Sequence, residues 1–286
     1  MILIDGKAVS EKIREQIRRE HEILSKEIGR KAGLAVILAG EDPASKIYVN
    51  NKAKACEKAG FNSAIHYLSG DVSEEELLKL ITDLNNDENT DGILVQLPLP
   101  KHIDELKVIT SVSPEKDVDA FHPVNIGKYV IGDESGFLPC TPYGIIQLLD
   151  EYKIETQGKD TVIIGRSNIV GKPMAMLMLQ KSATVQICHT KTKNLFGKMR
   201  NADIIISAVG VPNLVTEDKV KEGAVVIDVG ISRVEGKVCG DVEFTGVSQK
   251  ASYITPVPGG VGPMTITSLL GNTLKSFKNK RREVKQ

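Results

Sequence analysis

A glycine-containing turn joins an apolar strand near residues 161–164 to a predicted helix that continues to Gln180. Gly165 and Gly171 allow a sharp turn and a close approach of the backbone to a ligand. Pro173 suits the first position of a helix, where its missing N–H is no loss. A helix N-terminus offers N–H donors and positive dipole charge to an anion. The turn therefore predicts a phosphate-binding site and a nucleotide-dependent enzyme.

The residues around this turn indicate which dinucleotide it would bind. The turn departs from the usual G-x-G-x-x-G pattern, but a second strand, 183–188, follows about twenty residues later. An NAD site places an acid there for the ribose hydroxyls, whereas this strand is followed by His189, Thr190 and Lys191. With Arg166 and Ser167 in the turn itself, cations and hydroxyls favour the 2′-phosphate of NADP. The alternative is a plain strand–turn–helix with a surface arginine.

A second polar set lies in the first half of the chain. Ser45, Tyr48 and Lys52 recur at one-turn intervals in a helix predicted over residues 44–59, so they lie near one face. Gln96 ends an apolar strand, 92–97, where the carboxyl ends of parallel strands place ligands. Asp119 lies at the start of the segment between the two halves, which begins at Asp117. Taken singly, each has a structural alternative: a solvated helix face, a strand terminator and a turn former.

A third element is rich in conformationally special residues. Residues 255–265 contain three prolines and three glycines, including Pro258, Gly259, Gly260 and Gly262 around Val261. We interpret the segment as a rigid backbone wall beside a flat ligand, leading into a final helix from Met264 to about Phe277. A simple loop is the alternative.

Composition narrows the class of protein. The 286 residues are 41% hydrophobic, enough for two ordinary domains and against disorder. Lys+Arg and Asp+Glu are both 37, so no overall charge favours nucleic acid or a membrane. There is no long apolar run and no signal-peptide pattern. The four cysteines are widely spaced, which predicts cytoplasmic thiols rather than a metal site.

Apolar strands alternate with helices in both halves, which is typical of parallel sheets covered on both faces. The predicted elements are a helix 10–28 capped by Ser10, strands 34–38, 64–68 and 92–97, a helix from Ser73 to about Asn85, a helix from Thr141-Pro142 to Tyr152, and strands near 161–164, 184–188, 203–207 and 225–228. Residues 117–142 are expected to cross between the halves. The fold class is α/β, in two domains with a cleft between them.

Six blocks in order, spread over essentially the whole chain, resemble the bifunctional methylenetetrahydrofolate dehydrogenase/methenyltetrahydrofolate cyclohydrolase family, called FolD in bacteria. The blocks are Tyr48-Val-x-x-Lys52, Gly92-Ile-Leu-Val-Gln-Leu-Pro-Leu-Pro100, Pro114-Glu-Lys-Asp-Val-Asp119, Pro139-Cys-Thr-Pro142, Gly165-Arg-Ser-x-x-Val-Gly-x-Pro173 and Pro256-Val-Pro-Gly-Gly-Val-Gly-Pro-Met-Thr265. One departure is Ala120, where the family usually has glycine after the aspartate.

The resemblance implies a role for each polar residue. Lys52 corresponds to the key group of the cyclohydrolase step, Gln96 to the amide that positions its amine, Tyr48 to the aromatic that packs on the folate ring, and Asp119 to the carboxylate that binds the pterin N–H edge. Catalysis is thus assigned to Lys52, Gln96, Tyr48 and Asp119, with Ser45 and residues 258–262 as further folate contacts. Gly165, Arg166, Ser167, Thr190 and Ile231 resemble the NADP-binding positions.

The final helix is far in sequence from its expected partners and is predicted to pack back on the first half. The predicted domains are therefore residues 1–140 with 264–286, a discontinuous folate-binding catalytic domain, and 141–263, a Rossmann-like NADP-binding domain. The resemblance also implies a homodimer. Three rival functions remain open at this point. One is a monofunctional dehydrogenase of the same fold, and another is a non-catalytic NADP-binding module. The third is a dehydrogenase of small acids, which would usually require a catalytic histidine or an arginine clamp in the cleft. His122, near the crossing segment, is interpreted as structural.

Overall fold

The computed structural model describes residues 1–234 and 236–284, and it divides into two compact units. The six-strand unit comprises Met1–Glu11 and Pro139–Thr265. The three-strand unit comprises Lys12–Leu138 and the described chain from Ile266 onward.

The elements of the first half, in chain order, are β1 (Ile2–Leu3), α1 (Gly6–Ile28), β2 (Gly33–Ala39), α2 (Pro43–Ala59), β3 (Asn62–Leu68), α3 (Glu74–Asn86), β4 (Gly92–Val95), α4 (Glu105–Ser111) and α5 (Pro123–Val130). The remaining elements are α6 (Cys140–Glu151), β5 (Asp160–Ile164), α7 (Gly171–Gln180), β6 (Thr184–Cys188), α8 (Leu195–Asn201), β7 (Ile204–Ser207), β8 (Val225–Asp228), β9 (Ser232–Val234), β10 (Lys237–Cys239), α9 (Phe244–Lys250), β11 (Tyr253–Ile254) and α10 (Val261–Val284).

The three-strand unit is built on a parallel sheet in the order β3–β2–β4. Every residue of the central strand β2 is buried, because helices cover a parallel sheet on both faces. Ile37 of β2 packs in one cluster with Leu77 and Ile81 of α3. That helix starts as its capping box predicts, with the Ser73 side chain accepting the N–H of Glu76.

The six-strand unit contains a parallel sheet in the order β1–β11–β8–β7–β5–β6. Strands β5, β7 and β8 lie in its middle and are almost wholly buried, with Val162, Ile205 and Val226 in one core cluster. An antiparallel hairpin, β9–β10, follows β8. The predicted α/β class with two parallel-sheet domains is confirmed.

The N-terminus belongs to a different unit from the one expected. Residues 1–140 are predicted from the sequence to lie in one domain, but β1 pairs with β11, Ile2 opposite Tyr253 and Leu3 opposite Ile254. A strand of two residues has no periodicity to detect in the sequence. Helix α1 then begins at Gly6, not after a cap at Ser10, and the Asp5 carboxylate accepts the N–H of Ala8 at 3.0 Å.

Other boundaries also move. Helix α7 begins at Gly171, so Pro173 is its third residue, still within the first turn where a missing N–H is tolerated. Helix α10 begins at Val261, three residues before the predicted start. The expected crossing segment 117–142 contains helix α5. His122 caps α5, its Nδ1 accepting the N–H of Val124 at 3.1 Å, in agreement with a structural role.

No helix in the described ranges combines the length and apolar character needed to cross a membrane.

Candidate active site

The structure joins Lys52 and Gln96, which are 44 residues apart in the sequence. Lys52 lies on α2 with most of its side chain buried, and its Nζ donates to Gln96 Oε1 at 2.9 Å. The Gln96 amide in turn donates through Nε2 to the carbonyl of Leu97 at 2.8 Å, which sets which end of the amide faces the lysine. The arrangement presents a positioned amine at the carboxyl end of β4.

Tyr48 and Ser45 share helix α2 with Lys52 but differ in their surroundings. The Tyr48 side chain is 40% exposed, so its ring can receive a flat ligand. Ser45 is buried, and its hydroxyl donates to Asp42 Oδ2 at 2.7 Å while its N–H donates to the same oxygen at 2.8 Å. Ser45 is therefore part of the N-terminal cap of α2, in addition to its predicted place in a substrate site.

Asp119 lies beside the same sheet. Residue 117 forms an isolated parallel bridge with Ile93 of β4, and the N–H of Ile93 donates to Lys116 O at 2.7 Å. The chain thus runs alongside β4 as it approaches Asp119, whose side chain is half-buried. Gln96 and Asp119 consequently follow neighbouring extended segments in the three-strand unit.

The predicted wall residues 258–262 belong to the six-strand unit, and contacts within that unit account for part of their conformation. A Cβ on Gly260 would lie 2.5 Å from the carbonyl oxygen of Pro256. The carbonyl of Gly259 accepts the N–H of Lys7 at 3.0 Å. Gly259 has φ +103°, which favours glycine, whereas Gly262 is exposed and has open space around it. Packing therefore explains Gly260 and backbone conformation explains Gly259, but neither explains Gly262.

The turn between β5 and α7 is as tight as its glycines predict. Gly165 has φ +121°, and a Cβ there would lie 2.5 Å from the carbonyl oxygen of Ala208. A Cβ on Gly171 would lie 2.3 Å from the carbonyl oxygen of Gly165. Both glycines are required by the backbone packing of the turn itself, before any ligand is considered.

Ser167 organises the start of α7 in a way that sequence did not reveal. Its Oγ accepts the N–H of Val170 at 3.1 Å and that of Gly171 at 3.4 Å, and its carbonyl accepts the N–H of Lys172 at 3.0 Å. The first-turn donors that were expected to face a phosphate are therefore paired inside the turn. A phosphate here would depend more on side chains of the turn than on the helix N-terminus.

The other predicted cofactor residues lie at the same edge of the six-strand sheet. The N–H of Gly165 donates to Cys188 O at 2.8 Å, which brings the turn next to the end of β6, where Thr190 follows. Arg166, Thr190 and Ile231 are all exposed. The hydroxyls of Ser167 and Thr190 and the guanidinium of Arg166, with no acid directly after β6, fit the 2′-phosphate of NADP better than the ribose of NAD.

Two buried aspartates at this edge were not found from the sequence. Asp241 accepts hydrogen bonds from Ser207 Oγ, the N–H of Val209 and the N–H of Val211, at 2.8, 2.9 and 2.8 Å. Asp228 accepts the N–H groups of Gly230, Asp241 and Val242, each at 2.9 Å. Burial raises the pKa of Asp228 to about 6. Together they tie the loops after β7 and β8, including the loop that carries Ile231.

Within the described ranges, no three or more histidine, cysteine or acidic side chains come together in a group that could hold a metal ion. Cys56, one turn beyond Lys52 on α2, is buried, and burial raises the pKa of its thiol to about 12. A thiolate nucleophile is disfavoured there.

Two family models match the chain. Residues 4–119 match the catalytic domain of tetrahydrofolate dehydrogenase/cyclohydrolase, and residues 139–281 match its NAD(P)-binding domain. In these matches the catalytic domain precedes the NAD(P)-binding domain along the chain.

Full-length relatives agree with these models. The chain is 60% identical to the bifunctional protein FolD of Aquifex aeolicus, over 98% of this chain and 96% of the relative. A crystal structure of FolD from Campylobacter jejuni superposes with a TM-score of 0.96 at 55% identity, covering 98% and 99% of the two chains. A Trypanosoma brucei FolD complexed with NADP cofactor and inhibitor gives 0.95 at 39% identity, covering 99% of each.

With both domain models matched in order and identities of this size over nearly the whole length, this chain belongs to the tetrahydrofolate dehydrogenase/cyclohydrolase family.

Proposed function

We propose that this protein oxidises 5,10-methylenetetrahydrofolate to 5,10-methenyltetrahydrofolate with NADP⁺ and then hydrolyses the product to 10-formyltetrahydrofolate. The observation that carries the proposal is the Lys52–Gln96 hydrogen bond of 2.9 Å. A buried lysine whose amine is oriented by a glutamine suits a proton-transfer step, which hydrolysis requires, and so argues against a dehydrogenase alone. The two activities are those in the name of the similar Campylobacter jejuni structure, a methylenetetrahydrofolate dehydrogenase/cyclohydrolase.

Lys52 is assigned to the hydrolytic step. Water adds to the methenyl carbon, and a ring C–N bond then breaks to leave the formyl group on N10. Both events move protons, and an amine that is already positioned can relay them. Gln96 keeps the Lys52 amine in place, because its own amide is oriented by the Leu97 carbonyl.

Substrate binding is assigned to Tyr48, which would stack on the folate ring, and to Asp119, which would accept hydrogen bonds from the pterin edge. Ser45 and residues 258–262 complete the proposed folate-binding set. Ser45 would act through its hydroxyl oxygen, since its proton is donated to Asp42.

The oxidation asks less of the side chains. NADP⁺, when bound, accepts the hydride, and the protein's part is to position and to exclude water. Arg166, Ser167 and Thr190 would hold the 2′-phosphate side of the cofactor. Gly165 permits the turn that places them, and Ile231 would contact the cofactor from the loop after β8.

A homodimer is part of the proposal. Strand β6 is the last strand of its sheet, and an edge strand offers backbone groups to another chain. Ile187 on β6 and Phe196 on α8 are exposed apolar side chains of the same unit, and a second copy would cover them. Sedimentation velocity tests this: the wild type should sediment as a dimer and Ile187→Lys as a monomer. A wild type that sediments as a monomer would refute the homodimer.

A cytoplasmic location is consistent with four cysteines that form no disulfide, and cell fractionation would check it.

The first test follows NADPH, methenyl-folate and 10-formyl-folate together in one progress curve. NADPH formation with little free methenyl-folate supports both activities on one chain. Accumulating methenyl-folate would instead support the monofunctional dehydrogenase, and no turnover with either NADP⁺ or NAD⁺ would support the binding module.

Lys52→Met should lower cyclohydrolase activity by at least about 100-fold, in line with the usual contribution of a positioned acid–base group. Lys54→Met is the matched control, because Lys54 is an exposed lysine on the same helix. The control should retain hydrolysis, and a near-normal hydrolysis rate in Lys52→Met would remove that residue from its assigned role.

A further inference from the structure

The segment before α5 leaves one of four consecutive side chains accessible. Asp117, Val118 and Ala120 are 5%, 0% and 1% exposed, whereas Asp119 is half-buried. The backbone of this short segment therefore turns only Asp119 outward. How firmly Asp119 is presented depends on what holds its neighbours.

The carboxylate of Asp117 closes the turn around Asp119. Its Oδ1 accepts the N–H of Phe121 at 3.2 Å, and its Oδ2 accepts the N–H of His122 at 2.9 Å and the Nδ2 of Asn125 at 2.8 Å. Its backbone carbonyl accepts the N–H of Ala120 at 3.0 Å. Residue 117 is thus bonded to the chain on the far side of Asp119 by both its side chain and its main chain.

The partners of Asp117 are themselves fixed. Asn125 is buried, donates to Pro114 O at 2.9 Å and accepts the N–H of Phe137 at 3.2 Å. From α10, Asn272 donates to Val118 O at 2.8 Å. These buried hydrogen bonds hold the partners of Asp117 in place. The Asp117 carboxylate then ties the turn to these fixed partners, and the shape of the turn depends on that connection.

Asp117 also titrates in an accessible range. Burial raises its pKa to about 7, the three donors oppose that rise, and the charge of Asp119 adds to it. Ile93 of β4, which is bridged to residue 117, and Asn125 of α5 carry no charge. His122 presents its N–H to Asp117, and its ring Nδ1 accepts the N–H of Val124. All three hydrogen-bond partners of the Asp117 carboxylate, two backbone N–H groups and the Asn125 amide, are donors. A proton on the carboxyl group therefore has no acceptor among them and weakens the turn.

We propose that Asp117 is a positioning residue for Asp119: the ionised carboxylate of Asp117 shapes the turn that presents Asp119 to the folate. The inference rests on the proposed function, in which Asp119 binds the pterin edge. It adds a pH dependence that belongs to folate binding and not to cofactor binding. As the pH falls through about 7, Asp117 takes up a proton, the turn loosens and folate binding weakens.

The test measures KM for methylenetetrahydrofolate and for NADP⁺ between about pH 6 and 8.5 in the wild type, Asp117→Asn and Asp119→Ala. An asparagine at 117 would turn an NH₂ group toward N–H donors. At pH 8 we expect a rise of about tenfold in the folate KM, with the NADP⁺ KM unchanged. We further expect the wild-type folate KM to rise toward pH 6 and that of Asp117→Asn to be flat.

Asp104→Asn is the matched control, because Asp104 also accepts two backbone N–H groups, those of Leu106 and Lys107, in the same unit. It should leave both KM values unchanged. A folded Asp117→Asn enzyme with a wild-type folate KM and pH profile would overturn the inference. So would an Asp119→Ala enzyme with an unaltered folate KM.

Two measurements remain if Asp117→Asn does not fold. Asn125→Ala removes one of the three donors and should raise the folate KM about threefold, and the wild-type pH profile needs no variant. An unchanged KM in Asn125→Ala together with a flat wild-type profile would overturn the inference. Absence of folate turnover in the wild type would instead contradict the proposed function itself, so the two failures are distinguishable.

Discussion

The turn that precedes α7 and the turn that precedes α5 solve a similar problem with different residues. Each carries side chains assigned to binding, and each contains a residue with positive φ. Gly165 has φ +121° in the first, and Ala120 has φ +61° in the second. The first position has glycine, whereas the second has alanine where the family resemblance leads one to expect glycine.

The two positions differ more in the room available for a Cβ atom than in the sign of φ. At φ near +60° a residue lies in the left-handed helical region, which a side chain can occupy at about 1–2 kcal/mol. At φ +121° it does not, and a Cβ on Gly165 would also lie 2.5 Å from a backbone oxygen. Ala120 has its Cβ and is buried without such a collision. A positive φ alone therefore does not make glycine obligatory.

Gly165→Ala should produce the largest effect in this comparison. Backbone must shift to remove the collision with Ala208, so we expect a loss of about 3 kcal/mol in the free energy of unfolding and at least tenfold weaker NADP⁺ binding. Denaturant melts and a fluorescence titration measure the two quantities. Gly158→Ala is the control, since Gly158 has φ +70° and a Cβ added there would meet nothing within 4 Å. It should lose only about 1 kcal/mol, and equal losses at the two sites would contradict the distinction.

Arg166→Ala should produce the next largest effect. The turn before α7 presents Arg166 as an exposed cation, whereas the turn before α5 presents the half-buried carboxylate of Asp119. Losing a guanidinium contact to the 2′-phosphate should raise KM for NADP⁺ at least about tenfold, which is about 1.4 kcal/mol. KM for NAD⁺ should change little.

Initial rates with each cofactor give this comparison directly. Lys172→Ala serves as the control, because that side chain bonds to Asn168 at 2.6 Å within the start of α7. Equal changes for NADP⁺ and NAD⁺ in Arg166→Ala would refute recognition of the 2′-phosphate by Arg166.

Ala120→Gly should have the smallest effect. Relief of left-handed strain is about 1–2 kcal/mol, but glycine gains chain entropy in the unfolded state and a buried methyl worth about 0.8 kcal/mol is lost. The terms nearly cancel, so the free energy of unfolding should change by less than about 1 kcal/mol, with an unaltered folate KM. A loss above about 2 kcal/mol in chemical denaturation would show that the alanine methyl is needed for packing.

Local signals predicted the regular elements well. The capping box at Ser73, the apolar strands around 34–38 and 161–164, and the long amphipathic first helix all follow from interactions within a few residues. The errors have two causes. The unit to which β1 belongs depends on distant contacts with Tyr253 and Ile254. The donors at the start of α7 are taken by nearby Ser167, a local contact that a pattern of residue types does not distinguish from a ligand site.

The sequence by itself determined the order of strands and helices and the placing of Tyr48 and Lys52 on one helix face, since helix periodicity is local. It also determined the family, through blocks of residues in order. Only the tertiary structure decided that Lys52 meets Gln96, that Asp117 meets Asn125 and that Asp228 and Asp241 join two loops. The Lys52–Gln96 contact and the Asp228–Asp241 contact depend on which strands are neighbours, and long-range packing of the sheets sets that order. The Asp117–Asn125 contact spans only eight residues, but it depends on an irregular turn that no periodic pattern encodes.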